Sequence, residues 1–259
     1  MTARPASIGR SDALLAYVLR LGDNALVLGQ RLSELVTHAP ELEEELANAN
    51  FALDYIGQAR LFYSRAAELE GAGRTEDDFA FLRHGHEFEN LLLVEQPNGH
   101  FGDIIARQFL FDSFYLLQLE TLCGCRDEPL VEIAARAVKE IRYHLRYASQ
   151  WVIRLGDGTA ESHARMQESL DELWPYTGEM FTADAIDEEF EQESGGPDLG
   201  LLRSAWRQQV DGVLEEARLR RPEDGWMQGG GKRGRHSEHL GYLLAEMQFL
   251  QRAYPGARW

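Results

Sequence analysis

Basic residues are scarce in this chain of 259 residues, which has 26 Lys and Arg against 43 Asp and Glu and a formal net charge of −17. Such a charge repels the phosphates of nucleic acids and the anionic lipids of membranes. The chain also has no run of about 18 apolar residues that could span a bilayer. Its N-terminal stretch carries Arg10, Asp12 and Arg20 where a secretory signal peptide would be apolar. We therefore expect a cytoplasmic protein whose partners are proteins or small molecules, not nucleic acid or membrane.

Cysteine is equally scarce. Cys123 and Cys125 flank a single glycine, a spacing that is unfavourable for a disulfide between them. Two cysteines also fall short of the roughly four ligands of a structural zinc site. We expect both to be ordinary reduced residues.

Apolar residues at helical spacing are abundant, and they predict an all-α protein. Four long helices are expected, over 12–37, from Pro40 to Gly71, over 101–123 and over 129–155, with one longer connection after the second. Four helices with a single long crossover are typical of a ferritin-like four-helix bundle. We expect one domain over 1–259, with 1–11 flexible, 12–155 as the core bundle and 156–259 as a C-terminal elaboration. The additional helices are predicted near 162–180, 182–193, 200–219 and 237–253.

Di-iron proteins of this architecture use two Glu-x-x-His pairs, each of which projects from one helix into the core. This chain has none. In "KEIRYH", Glu140 and His144 are four residues apart, and the residue three before His144 is Ile141. The residues three positions before the eight histidines are Leu35, Phe81, Arg83, Pro97, Ile141, Ala160, Arg233 and His236. The sequence therefore predicts that this chain does not build a di-iron site of this type.

Several polar residues lie among apolar neighbours in the predicted helices, namely Asp54, Gln58, Asp112, Glu140 and His144. Buried charges are normally retained only when they are paired. We expect Asp54, Asp112, Lys139 and Glu140 to form a buried polar network, with Arg60, Arg107 or Lys139 as its cations.

The C-terminal region contains the glycine-rich basic stretch "GGGKRG", followed by a histidine. The stretch lacks the Ser or Thr of a P-loop and does not follow a strand. Lys232, Arg233, Arg235 and His236 are nevertheless candidates for contact with a phosphate-bearing ligand or an acidic partner. A flexible basic loop is the alternative interpretation.

Long blocks of the sequence resemble a known family. These blocks are "YVLRLGDNALVLGQRLSE", "FENLLLVEQPNGHFGDIIARQ", "KEIRYHLRYASQWVIRLGDGT", "GGGKRGRHSEHLGYLLAEMQFLQRAYPG" and the terminal Trp259. They resemble the C subunits of bacterial phenylacetyl-CoA epoxidases, the ring-1,2-phenylacetyl-CoA monooxygenases of aerobic phenylacetate degradation. The resemblance runs from about Ala13 to the end of the chain.

The resemblance implies a ferritin-like, metal-free structural subunit that pairs with a related catalytic A subunit, which carries the di-iron centre and epoxidises the ring. Other subunits, the reductase and phenylacetyl-CoA are then expected nearby. In this chain, Tyr55 and Gln58 would occupy the Glu and His positions of the second helix. Ile141 and His144 would occupy those of the fourth.

Two other functions stay open at this point. The chain could be an oxygenase in its own right, with an unusual metal site formed by Asp112, Glu140 and His144. It could also be a module that binds CoA esters through the cations of its glycine-rich stretch.

Overall fold

The computed structural model describes residues 10–36 and 40–257, and the secondary structure of these residues is entirely helical. The expected flexibility of 1–11 falls almost wholly outside the described residues, and the first helix begins at Arg10. The α-helices are α1 (Arg10–Ser33), α2 (Leu42–Glu70), α3 (Glu76–Phe81), α4 (Phe101–Leu122), α5 (Glu128–Gly156), α6 (Ala160–Leu173), α7 (Ala185–Ser194), α8 (Leu199–Glu216), α9 (Glu238–Met247) and α10 (Phe249–Ala253). Short 3-10 segments cover Gly85–Glu87, Trp174–Tyr176, Gly178–Phe181 and Gly231–Arg233.

Helices α1, α2, α4 and α5 form the bundle, in which α1 pairs closely with α2 and α4 pairs closely with α5. The 71–100 connection crosses between the two pairs and contains α3. One long crossover between two helical pairs is the ferritin-like arrangement. The predicted fold class is therefore confirmed.

Local signals set the ends of the bundle helices. Asp127 caps α5, since its Oδ1 accepts a 3.0 Å hydrogen bond from the backbone N–H of Leu130, and Pro129 lies in the first turn. Gly71 ends α2 in the left-handed conformation, with φ 64°, which glycine adopts without strain. Arg65 of α2 reaches the other oxygen of the Asp127 cap at 2.6 Å. The start of α5 is thereby fixed against the last turns of α2.

The C-terminal helices cover the bundle unevenly. Helices α6 and α8 pack on α4, and α7 packs on α1. Helix α4 is buried on nearly every side as a result. Helix α2 packs extensively only against α1, α3 and α5. The bundle therefore has one side that is covered by the C-terminal elaboration and another, around α2, that is not.

The structure differs from the predicted elements in three places. The segment near 162–180 is α6 followed by two 3-10 segments, because Pro175 lacks the N–H that would continue the helix after Leu173. The last predicted helix is divided into α9 and α10 at Gln248. The short helix α3, which begins with a capping box between Thr75 and Asp78, was not predicted.

Candidate functional site

Polar side chains meet in the centre of the bundle, between α2, α4 and α5. We call this group the polar core, and its members are Tyr55, Gln58, Gln108, Asp112, Tyr115 and Glu140. All of them except Glu140 are buried. The polar core occupies the part of a ferritin-like bundle in which related proteins bind iron.

Asp112 is the buried carboxylate of the polar core. It accepts hydrogen bonds from the hydroxyl of Tyr55 and from Nε2 of Gln108, the latter at 2.6 Å. Burial raises the pKa of Asp112 to about 6, although His144 and these two hydrogen bonds favour the charged form. The pKa of Tyr55 is also raised, by burial and by the neighbouring charge of Asp112. The proton between these two side chains therefore stays on the phenol when Asp112 is ionised.

Gln58 joins the other members of the polar core. Its Nε2 donates to Oε2 of Glu140 at 2.8 Å, and its Oε1 accepts from the hydroxyl of Tyr115 at 3.0 Å. Glu140 is only partly buried and also lies 3.3 Å from Nε of Arg136. Both the nitrogen and the oxygen of the Gln58 amide therefore have hydrogen-bond partners within the chain.

His144 lies beside the polar core. Its Nε2 is 3.0 Å from Oδ2 of the half-buried Asp54, and its ring packs on Phe51 with the ring centroids 4.2 Å apart. Nδ1 of His144 has no hydrogen-bond partner. Ile141, one turn before it, is fully buried. The imidazole of His144 therefore has a carboxylate at one nitrogen, an aromatic ring against its face and no partner at its other nitrogen.

These residues do not fit a di-iron centre. In the correspondence that the resemblance implies, Tyr55, Gln58 and Ile141 stand at three of the four ligand positions of the second and fourth helices, and His144 stands at the last. Across residues 10–36 and 40–257, no group of three or more His, Cys, Asp or Glu side chains is placed to hold a metal ion. Asp112, Glu140 and His144 are accordingly not brought together as a shared site.

The prediction that Arg60, Arg107 or Lys139 provides the cations of the buried network is wrong. Lys139 is exposed, because it lies on the face of α5 opposite the buried Val138 and Ile141. Arg60 is also exposed and pairs with Glu76 at 3.3 Å. Arg107 is buried, but it donates to the carbonyl oxygen of Gln96 at 2.5 Å and to Asn98 at 2.6 Å. Neutral donors, and not cations, therefore satisfy the buried carboxylate of the polar core.

The glycine-rich stretch is held to the bundle by two buried carboxylates. Glu179 accepts hydrogen bonds from the backbone N–H groups of Gly230 at 2.7 Å, Lys232 at 3.3 Å and Leu92 at 2.9 Å. Glu95 accepts from Nδ1 of His236 at 2.8 Å and from the backbone N–H of Ser237 at 2.7 Å. We call Glu95, Glu179 and the segment 230–237 the C-terminal anchor.

Two of the four candidate contact residues are used inside the anchor. Nζ of Lys232 lies 2.8 Å from Oδ2 of Asp187 and donates to the carbonyl oxygen of Thr182 at 3.0 Å. Burial would lower the pKa of His236, but its hydrogen bonds to Glu95 and to the carbonyl of Phe88 outweigh burial and raise it. Arg233 and Arg235 are exposed. The stretch is therefore an ordered structural element, which corrects the interpretation of it as a flexible loop.

Comparison with known proteins identifies the family. The family model described as "Phenylacetic acid catabolic protein" matches residues 3–259. The chain belongs to this family. It is 51% identical, over 248 residues, to a protein of Escherichia coli (strain K12) that is named as the C subunit of 1,2-phenylacetyl-CoA epoxidase. The match covers 96% of this chain and the whole of that relative.

This member of the phenylacetic acid catabolic family has a further buried site, which the sequence reasoning missed. Asp23 of α1 accepts a 2.7 Å hydrogen bond from the hydroxyl of Tyr63 and one at 2.8 Å from the backbone N–H of Glu89, and it pairs with Arg83. A signal was present, because Asp23 interrupts the apolar stripe of α1 just as Glu95 interrupts the run "LLLVEQ". A single charge within an apolar run indicates a buried pair. Together these pairs fix the crossover connection on α1.

The described part of the chain also contains no helix that is long and apolar enough to cross a membrane.

Proposed function

We propose that this chain is a structural, non-catalytic subunit of a 1,2-phenylacetyl-CoA epoxidase complex that acts in phenylacetate catabolism. It pairs with and stabilises a related catalytic subunit that carries the di-iron centre. The proposal is supported above all by one observation. Of the positions that the resemblance assigns to iron ligands, Tyr55 and Gln58 hydrogen-bond to other side chains of the polar core, Ile141 is apolar, and His144 pairs with Asp54.

The replacements form a stable alternative to a metal centre. Two iron ions would neutralise several buried carboxylates, and a bundle that lost them while keeping those carboxylates would bury unpaired charge. In this chain the buried carboxylate Asp112 has two hydrogen-bond donors, Tyr55 and Gln108. Ile141 adds apolar volume at a former ligand position. A core of this kind would hold the bundle together without a metal, as a scaffold subunit requires.

The proposed reaction of the complex, epoxidation of phenylacetyl-CoA, is supported by the name of the 51% identical relative. In the proposed complex, the partner subunit supplies the oxygen chemistry on phenylacetyl-CoA, and this chain supplies a rigid surface for that partner. The reductase and the other subunits then bind the assembled pair.

Metal analysis combined with size-exclusion chromatography tests the proposal. The chain is purified alone and after co-expression with the catalytic subunit, and iron is quantified in both samples. We expect iron only in the co-purified heteromer. His144→Phe, which keeps the contact with Phe51 but removes the last ligating group, should leave the iron content of the heteromer unchanged. Tightly bound iron in the chain alone that is lost in His144→Phe would contradict the proposal, and so would failure of the two chains to co-elute.

A further inference from the structure

A small cavity lies where α1, α4 and α7 meet the C-terminal anchor. Its volume is about 20 Å³, and its lining includes Tyr17 and Arg20 of α1, Gln118 of α4, Asp187 of α7 and Lys232 of the anchor. A cavity of about 10–15 Å³ is large enough for one water molecule, which stays bound when several polar groups surround it. The size of this cavity therefore suits one water molecule and no larger ligand.

Gln118 brings a polar atom without a partner to the cavity. This residue is only 7% exposed, and its Nε2 donates to the hydroxyl oxygen of Tyr17 at 2.8 Å. Its Oε1 is buried and has no hydrogen-bond donor among residues 10–36 and 40–257. Buried amide atoms are nearly always hydrogen-bonded, because leaving one unpaired is costly. The Oε1 atom of Gln118 therefore calls for a donor inside the cavity.

The hydroxyl of Tyr17 is a second incomplete group. It accepts from Gln118, but its own proton has no acceptor within the described part of the chain. Burial raises the pKa of this phenol well above its ordinary value, and the charge of Asp187 adds to the rise, so the proton stays on the oxygen. Turning the Gln118 amide over would let Tyr17 donate to it, but Nε2 would then be the atom without a partner. One group in this pair lacks a partner in either orientation.

Asp187 is the third polar group of the lining. Its Oδ2 lies 2.8 Å from Nζ of Lys232 and accepts from the backbone N–H of Asp184 at 3.1 Å. Its Oδ1 has only a contact of 3.6 Å with Nη1 of Arg20, which is longer than a hydrogen bond. A polar contact of this length leaves the oxygen free to accept from a bridging water.

The charges around the cavity favour a neutral occupant. Arg20 and Lys232 would repel a cation, while Glu89 and Asp187 would repel an anion. These charges already compensate each other, because Arg20 pairs with Glu89 at 2.8 Å and Lys232 pairs with Asp187 at 2.8 Å. Water is the neutral molecule of this size that can both donate and accept.

We propose that the cavity is a hydration site, in which one ordered water molecule accepts from the hydroxyl of Tyr17 and donates to Oε1 of Gln118 and Oδ1 of Asp187. This water joins α7 to α4, two helices that do not pack extensively on each other. Helix α7 is thus held to the bundle by the ion pairs of Arg20 on α1 and by the water on α4. The inference does not depend on the proposed function.

A crystal structure of the wild-type chain, with a second data set from crystals grown in rubidium chloride, tests the site. We expect one density peak at hydrogen-bond distance from Gln118 and Asp187, without anomalous signal from rubidium. A rubidium peak in the cavity would identify a cation site. No peak in a map that shows other buried waters would identify a dry cavity. Either result would overturn the inference.

Deuteron relaxation dispersion counts long-lived water molecules in solution and provides a second test. Gln118→Met keeps the approximate size of the side chain but removes its amide, so we expect one long-lived water fewer than in the wild type. The matched control is Gln150→Met, because Gln150 is exposed on α5, and its count should equal that of the wild type. Equal counts for all three proteins would overturn the inference. Circular dichroism verifies that both variants are folded, and if Gln118→Met is not, the wild-type crystal structure decides alone.

Discussion

His236 Nδ1 lies 2.8 Å from Oε2 of Glu95, while Nε2 of the same ring lies 2.8 Å from the carbonyl oxygen of Phe88. A carbonyl oxygen and a carboxylate can only accept, so both ring nitrogens must carry protons. This geometry favours the imidazolium form of His236, in agreement with the raised pKa of the ring, and in that form its charge compensates the buried Glu95.

The stability of the folded chain should depend on this charge. A histidine with a raised folded-state pKa contributes its full stabilisation below its unfolded value, near 6.5, and loses it as the pH rises through the folded value. We expect wild type to exceed His236→Gln in unfolding free energy by about 2 kcal/mol at pH 6. The difference should narrow toward pH 9. Urea denaturation at several pH values measures it, with the exposed His84→Gln as the control. A difference that stays constant over this range would contradict the assignment.

The unfolding free energy should also depend on pH through Asp112, for a different reason than through His236. Its folded-state pKa of about 6 lies above the ordinary value of 3.8, so the folded state holds this proton more tightly than the unfolded state does. Stability contributed by the neutral carboxyl is lost as the pH rises from 4 to 7. Asp112→Asn should remove this loss. The unfolding free energy of the variant should therefore rise relative to that of the wild type across that interval, by up to about 3 kcal/mol.

Denaturant unfolding at pH 4, 5, 6 and 7 follows the change, with Asp77→Asn on the exposed surface of α3 as the control. Parallel curves for Asp112→Asn and wild type would show that burial does not raise the pKa of Asp112.

Glu179 should control access of proteases to the C-terminal anchor. Glu179→Ala leaves three backbone N–H groups without their acceptor, which we expect to cost about 3 kcal/mol. Trypsin should then cleave after Lys232, Arg233 or Arg235 at least tenfold faster than in wild type. Mass spectrometry of a digestion time course identifies the sites. Glu172→Ala, on the exposed surface of α6, should be cleaved like wild type, and equal rates for the two variants would contradict this role for Glu179.

Gly231 should tolerate no side chain. An added Cβ would overlap the carbonyl oxygen of Asn90, which is backbone and cannot rotate away. We expect Gly231→Ala to lower the unfolding free energy by about 2 kcal/mol. Gly212→Ala is the matched control, since a Cβ at this position in α8 meets nothing, and it should gain about 1 kcal/mol. Equal effects of the two substitutions in thermal or chemical unfolding would contradict the close contact.

Much of the fold was predictable because it depends on local signals. Apolar periodicity located the four bundle helices within a few residues, and the single crossover followed from the punctuated connection before Phe101. Periodicity is lost where a helix shortens to one turn, so α3 was missed. The division of the last helix at Gln248 was also missed, because no proline or glycine in the sequence marks it.

The polar core was predictable in part. The sequence placed Asp112 and Glu140 on core-facing helices, but it could not identify the donors of Asp112, because nothing in the spacing of Tyr55 and Gln108 shows that they meet this carboxylate. Lys139 was expected among the cations of the buried network, but the helical twist turns it by about 100° from Glu140, and it is exposed. The partners of Glu179 were beyond sequence reasoning, since Leu92 and Gly230 come together only in the folded chain.

Arg20 lies in the first helix, yet its guanidinium binds Asp184 at 2.9 Å and the carbonyl oxygen of Lys232 at 3.1 Å, which are 164 and 212 positions further along the chain. During synthesis, α1, α2, α4 and α5 leave the ribosome long before these partners do. Until residues 230–237 arrive, Glu95 and Glu179 lack most of their hydrogen-bond donors, and Arg20 lacks its last acceptor. The nascent chain can thus assemble its bundle early but reaches its full stability only after residues 230–237 have been synthesised, which makes loss of this segment far more damaging than its distance from the polar core suggests.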